Sequence, residues 1–175
     1  MSLNGSTNEE KIWNYLKAKG LPDCGIAGLM GNLYAESCLI PANLQNSYEK
    51  TLGFTDATYT AAVDKGMYQN FVKDSAGYGL AQWTYWSRKK NLLDFAKKKG
   101  KSIGDLEMQL DFLWNELQGY TAVISTLKTA KTVRAASDSV LVNFERPADQ
   151  SEAAKTRRAG FGQKFYDKYA AGSPA

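Results

Sequence analysis

The segment from Gly25 to Glu36, Gly-Ile-Ala-Gly-Leu-Met-Gly-Asn-Leu-Tyr-Ala-Glu, constrains the fold of this chain more than any other. It is apolar nearly all the way round a helical projection, the pattern of a helix buried on every side. Gly25, Gly28 and Gly31 recur at every third position. A glycine inside a helix costs about 1 kcal/mol relative to alanine, so three of them predict close packing by a neighbour. Pro22-Asp23 opens this helix, and Pro41 is expected to enforce its stop soon after Ser37.

The rest of the chain reads as helices able to surround it. Thr7 with Glu10 fits a capping box ahead of an apolar stripe at Ile12, Trp13 and Leu16, with Gly20 as the stop. Further helices are expected over 55–65, 87–99, 102–119, 120–130 and 132–144. Asp149 with Glu152 is expected to cap a last helix carrying Phe161, Phe165 and Tyr169. The run Lys97-Lys98-Lys99-Gly100-Lys101 fits the C-terminal end of a helix, where cations are favoured. Residues 67–83 lack a helical period and predict a loop, or a short hairpin. The expected fold is mainly α, a helical bundle around a buried central helix, with an irregular loop or small hairpin lining a cleft. Its 175 residues suit one domain. That domain is expected over 7–170, with 1–6 a disordered or artificial N-terminus and 171–175 a frayed C-terminus.

Histidine is absent. This removes Ser-His and Cys-His nucleophile pairs and the common His-ligated zinc sites. Acid–base chemistry then falls to Asp, Glu, Tyr, Lys or Cys, with carboxylates leading. No metal site and no cofactor are expected. Cys24 and Cys38 lie fourteen helical steps apart, about 21 Å, whereas bridged Cα atoms lie within roughly 7 Å, so no disulfide joins them unless that helix breaks. A net charge of +4, scattered along the chain, is too small to argue for nucleic acid. No apolar run approaches membrane-spanning length, and no secretory signal is visible.

Glu36 is the residue that needs explaining. It lies three residues after Leu33 and seven after Leu29, on the face they share. Burial and the helix C-terminus both favour the neutral form of such a carboxyl, which a glycosidase needs to protonate a leaving oxygen. The alternative is an ion pair with Lys or Arg. A second feature is Asp74-Ser75-Ala76-Gly77-Tyr78-Gly79-Leu80-Ala81-Gln82-Trp83, where Tyr78, Gln82 and Trp83 offer two rings and an amide to a sugar. Of Trp83, Tyr85 and Trp86, at least one is expected in the core. Glu145-Arg146 before Pro147 is read first as the pin of a helix end.

Tyr34-Ala35-Glu36-Ser37, followed by Gly77-Tyr78-Gly79-Leu80-Ala81-Gln82-Trp83, resembles the signature of the goose-type lysozyme and lytic transglycosylase superfamily. A fuller resemblance is to the phage tail lysozyme family. It is carried by the stretches 26–41 and 75–88 and by Phe144-Glu145-Arg146-Pro147. The resemblance implies a lysozyme-like α+β fold, and cleavage of bacterial peptidoglycan between N-acetylmuramic acid and N-acetylglucosamine. It places the general acid at Glu36 and a water-positioning carboxylate near Asp74. Sugar contacts fall on Ser37, Tyr78, Gln82, Trp83 and, on an equivalent wall, Asn143. The nucleophile is water, giving hydrolysis, or the sugar's own 6-hydroxyl, giving 1,6-anhydro products; hydrolysis is the first expectation. A glycan-binding tail domain without activity is the reading from a different class, and an Ala or Gln at position 36 would have favoured it. The expected partners are peptidoglycan and further domains of a larger phage or prophage protein. A monomeric domain is expected, acting at the cell wall after delivery by a phage tail, by lysis or as part of a longer chain, with neither nucleic acid nor membrane insertion.

Overall fold

The computed structural model describes residues 3–170, and the expected frayed end at 171–175 lies outside them. Among these residues it is mainly α, with nine α-helices, one π-helical turn and no extended strand. The helices are α1 (Asn8–Ala18), α2 (Asp23–Ser37), α3 (Asn46–Leu52), α4 (Asp56–Asp64), α5 (Trp86–Lys99), α6 (Leu106–Gly119), α7 (Thr121–Thr129), α8 (Val133–Val140) and α9 (Glu152–Tyr169). The chain divides into two compact units. The first is built from residues up to Leu39 and from Trp114 onward, and the second from Ile40 to Leu113.

In the first unit α2 is the central helix, packed along α8 and α9 and touching α1 and α7. Its three glycines each seat a different neighbour. A Cβ on Gly25 would lie 2.0 Å from the Leu127 carbonyl oxygen of α7. On Gly28 it would meet the Ala136 Cβ of α8 at 2.6 Å, and on Gly31 the Arg158 carbonyl oxygen of α9 at 2.4 Å. Contacts this short leave room only for hydrogen, so the glycine spacing sets how closely the three helices approach. Ile26, Leu29, Met30 and Leu33 between them are fully buried.

The end of α2 differs from expectation. Cys38 and Leu39 both take left-handed backbone angles (φ 54° and 63°), and the Cys38 amide closes onto the Tyr34 carbonyl. The helix therefore stops before Pro41 can act. Thr7 caps α1 through the Glu10 amide, while the Glu10 carboxylate turns to Ser6 instead of completing a capping box. Ser151, rather than Asp149, caps α9, and Asp105 caps α6. The expected helix over 132–144 breaks at Val140. There Leu141–Glu145 widens into a π-turn, which the left-handed Arg146 closes through its amide onto the Leu141 carbonyl. Cys24 and Cys38 are both free.

The second unit holds α3, α4, α5 and the start of α6 around an aromatic cluster. Tyr59 contacts Phe54, Tyr68, Phe71 and Tyr78 with ring centroids 5.5 to 5.9 Å apart. The expected hairpin reduces to two isolated antiparallel bridges, Leu44 with Tyr78 and Tyr78 with Trp83.

Candidate functional site

Glu36 sits in the last turn of α2 and is intermediate in burial, with a side chain 17% exposed. Its Oε2 lies 2.7 Å from Nη2 of Arg158, itself 9% exposed. The guanidinium reaches back along α2, donating from Nη1 to Asn32 Oδ1 at 3.1 Å. Asn32 is fully buried. Its amide nitrogen donates to the carbonyls of Gly28 and Ser137 and to the Ser137 hydroxyl, at 3.0, 3.1 and 3.1 Å. A line of buried polar groups thus runs from α8 through α2 to α9 and ends on the Glu36 carboxylate. The opposed possibilities for Glu36, catalytic acid or partner of a cation, meet on one side chain, since the cation is present and one carboxyl oxygen engages it.

Ser37 is buried and its hydroxyl donates to the Leu33 carbonyl at 3.0 Å, within the last turn of α2. Asn143 is exposed on the π-turn, where its carbonyl accepts from Arg146 Nε at 3.2 Å. Arg146 caps that turn ahead of Pro147, in keeping with Glu145-Arg146 as the pin of a helix end.

In the second unit Asp74 is 1% exposed and forms an ion pair with Lys89, which is 0% exposed, at 2.6 Å. Its Oδ1 also accepts from the Ala76 amide at 2.9 Å, and its Oδ2 accepts from the hydroxyls of Tyr59 and Tyr68 at 2.6 and 2.9 Å. A carboxylate has about four acceptor sites, and four donors occupy them. All four acceptor sites of Asp74 are thus met by donors of the protein itself. Lys89 donates as well to the Ala76 carbonyl at 2.7 Å, and its ammonium lies 4.2 Å from the Phe71 ring centroid. Burial lowers the pKa of Lys89, and Asp74 opposes that shift. Burial, then the hydrogen bond to Asp74, pushes the Tyr68 phenol up to about 12 and the Tyr59 phenol well above its ordinary range. The pair anchors the first half of the glycine loop.

The rest of that loop is held from within. Gly79 and Gln82 take left-handed angles (φ 85° and 54°), turning the chain so that Tyr78 and Trp83 exchange backbone hydrogen bonds at 3.1 and 2.9 Å. A Cβ on Gly79 would lie 2.9 Å from the Trp83 ring, so glycine is required there on two counts. The amide nitrogen of Gln82 donates to the carbonyls of Asn43 and Gly79 at 2.9 and 3.0 Å. Tyr78 is fully buried with its hydroxyl 2.6 Å from Thr60 Oγ1. Trp83 is fully buried edge-on to Phe112 at 5.3 Å. Both rings are enclosed in the second unit, and the amide nitrogen of Gln82 donates within the loop. Trp83 is the member of its aromatic trio that belongs to the core. Tyr85 and Trp86, 63% and 53% exposed with centroids 6.1 Å apart, form an open aromatic pair.

Sequence reasoning missed Arg158, Asn32 and Gln109. Gln109 is buried, accepts from the Leu80 amide at 2.9 Å, and donates to the carbonyls of Pro41 and Ile103 at 2.6 and 2.7 Å. A polar residue among the apolar positions of a helix was the signal available for Asn32 and Gln109. Arg158 carries no local signal.

An all-helical frame of this kind, with a glutamate closing a buried glycine-spaced helix and a G-x-G-L-x-Q loop in a separate unit, is that of a lysozyme-like protein. The family model of phage tail lysozymes matches residues 7–169, and the chain belongs to that family. It is also similar to morphogenesis protein 1 of Bacillus phage B103, at 25% identity over 165 residues covering 89% of this chain. The chain spans 38% of that relative's length. Among the described residues no group of three or more Asp, Glu, Cys or His could hold a metal, and no helix is long and apolar enough to cross a membrane.

Proposed function

We propose that this chain is a single glycan-cleaving domain of a larger phage protein, delivered to the bacterial wall, with Glu36 as general acid. The substrate is the peptidoglycan strand, cut between N-acetylmuramic acid and N-acetylglucosamine. The observation that carries this reading is a carboxyl at the end of the central helix, partly open to solvent, whose closest contact to Arg158 is through Oε2. Such a group can hold a proton on its other oxygen and pass it to a leaving glycosidic oxygen. Family membership supports the substrate, and the short span of the phage relative supports a longer native protein. Of the residues expected on the sugar, the exposed Asn143 keeps that role here.

The saturation of Asp74 supports a second account of the later step. Inverting hydrolysis uses a second carboxylate to activate water, at about 6.5–9.5 Å from the acid. With Asp74 occupied, attack by the sugar's 6-hydroxyl gains weight against hydrolysis, since it needs one essential carboxyl.

The test is turbidity loss of purified peptidoglycans from Gram-positive and Gram-negative bacteria, followed by mass spectrometry of the products. Glu36→Gln should fold and lose about 10²–10⁴-fold in rate, the range attributable to a positioned proton donor. Reducing ends identify hydrolysis, and 1,6-anhydro ends the intramolecular route. Equal clearing by parent and variant would remove Glu36 from the role. No clearing by the parent on any wall would move the glycan-binding domain to first place.

A further inference from the structure

The line of groups behind Glu36 does more than pin two helices together. A guanidinium carries only donors, so the oxygen facing it must accept, and a proton there would set donor against donor. Arg158 meets Glu36 at Oε2, at 2.7 Å. The proton of the neutral carboxyl must then sit on Oε1. The guanidinium is itself fixed in rotation, because Nη1 is held by Asn32 Oδ1 at 3.1 Å. The Asn32 amide cannot flip, since its nitrogen faces three acceptors at 3.0 to 3.1 Å. The reach of Arg158 depends in turn on Gly31, whose missing Cβ lets the α9 backbone, including the Arg158 carbonyl, lie directly on α2.

We propose that Arg158 is a positioning residue for the reaction, held by Asn32 against Oε2 of Glu36 so that Oε1 alone carries and delivers the proton. The proposal rests on Glu36 being the acid. In the step itself the O–H bond at Oε1 breaks as a new O–H bond forms on the glycosidic oxygen, which keeps the electron pair of its breaking bond to the anomeric carbon; that carbon is then taken by water or by the sugar's own 6-hydroxyl, which gives up a proton to solvent. Glu36 is left as a carboxylate with Arg158 already beside it, so the charge formed in the step develops next to a preplaced cation.

The experiment compares the full chain with Arg158→Gln, Arg158→Lys and Asn32→Ser, reading kcat and KM on purified peptidoglycan together with the melting temperature. Glutamine keeps much of the packing but can turn either an amide donor or a carbonyl toward Glu36. Arg158→Gln should lose about 10²-fold in kcat per folded molecule, the scale of a misplaced catalytic group, with KM held within about twofold. Arg158→Lys, a donor-only cation, should recover most of that loss. Asn32→Ser, which frees the guanidinium without removing it, should fall between, and it carries the test if Arg158→Gln does not fold. A purely structural role would lower the melting temperature in all three and leave kcat per folded molecule unchanged, which would overturn the proposal. If Glu36→Gln remains active, the assignment of the acid has failed. If Glu36→Gln is inactive while the Arg158 and Asn32 variants keep full kcat, only the positioning role has failed.

Discussion

The two units each bury an acid against a base, and they do so differently. Asp74 and Lys89 are shut away at 1% and 0% exposure, every acceptor on the carboxylate is occupied, and the ammonium rests on an aromatic ring. Glu36 and Arg158 remain 17% and 9% exposed, and they meet most closely at Oε2, at 2.7 Å. A saturated pair can hold a loop but offers nothing to a ligand. A pair left partly open to solvent is the one on which the proposed acid rests. Burial of charge alone therefore does not mark a working site; the count of satisfied lone pairs separates the two cases.

The comparison can be broken most sharply at Asp74. Asp74→Asn leaves the Lys89 ammonium buried without its counter-charge and should cost about 3–5 kcal/mol in urea unfolding, whereas Asp74→Asn with Lys89→Met should recover much of it. A loss below about 1 kcal/mol would mean that the pair is not the anchor described. Alkaline pH should act on the same hub. Tyr59 and Tyr68 hydrogen-bond to Asp74 and have raised folded pKa values, Tyr68 about 12, against about 10 in an unfolded chain. Their contribution is thus fully present below pH 10; that of Tyr68 is lost as pH rises through about 12, and that of Tyr59 persists to higher pH. Lys89, lowered by burial, works the other way, so stability rises with pH between its folded value and its unfolded one. Tyrosinate absorbance followed alongside unfolding should show late phenol ionisation in the parent and earlier ionisation in Asp74→Asn; identical titrations would detach the phenols from the hub. The smallest effect is expected at the other pair. Glu36→Gln keeps an acceptor for Arg158 at a partly hydrated position and should cost only about 1 kcal/mol. A loss as large as that of Asp74→Asn would erase the distinction between the two pairs.

Much of the frame was readable in advance, for reasons that can be named. The glycine spacing of α2 forecast close neighbours because backbone approach demands small residues, and it did so at three separate interfaces. The basic run at 97–101 fell at the end of α5, where the helix dipole favours it. By contrast α3 went unseen, because Asn46–Leu52 buries no residue and so has no apolar stripe to read. The loop residues were misplaced for a related reason. Tyr, Trp and Gln suit both a sugar and a polar core, and only the fold shows which way Tyr78 and Trp83 point. Lys89 hid in a lysine-rich helix that otherwise looks solvated. Arg158 could not have been paired with Glu36, since nothing local in either segment names the other.

The distance along the chain between Asn32 and Arg158 is 126 residues, with the whole second unit intervening. During synthesis at about 5–20 residues per second, α2 leaves the ribosome about 6–25 s before the arginine that steadies its glutamate. The helices that fit its notches follow in chain order, α7 and α8 first and α9 last. The pairing of Glu36 with Arg158 is thus assembled last, when α9 closes over Gly31, and a nascent or truncated chain would present the sequence motif without that geometry.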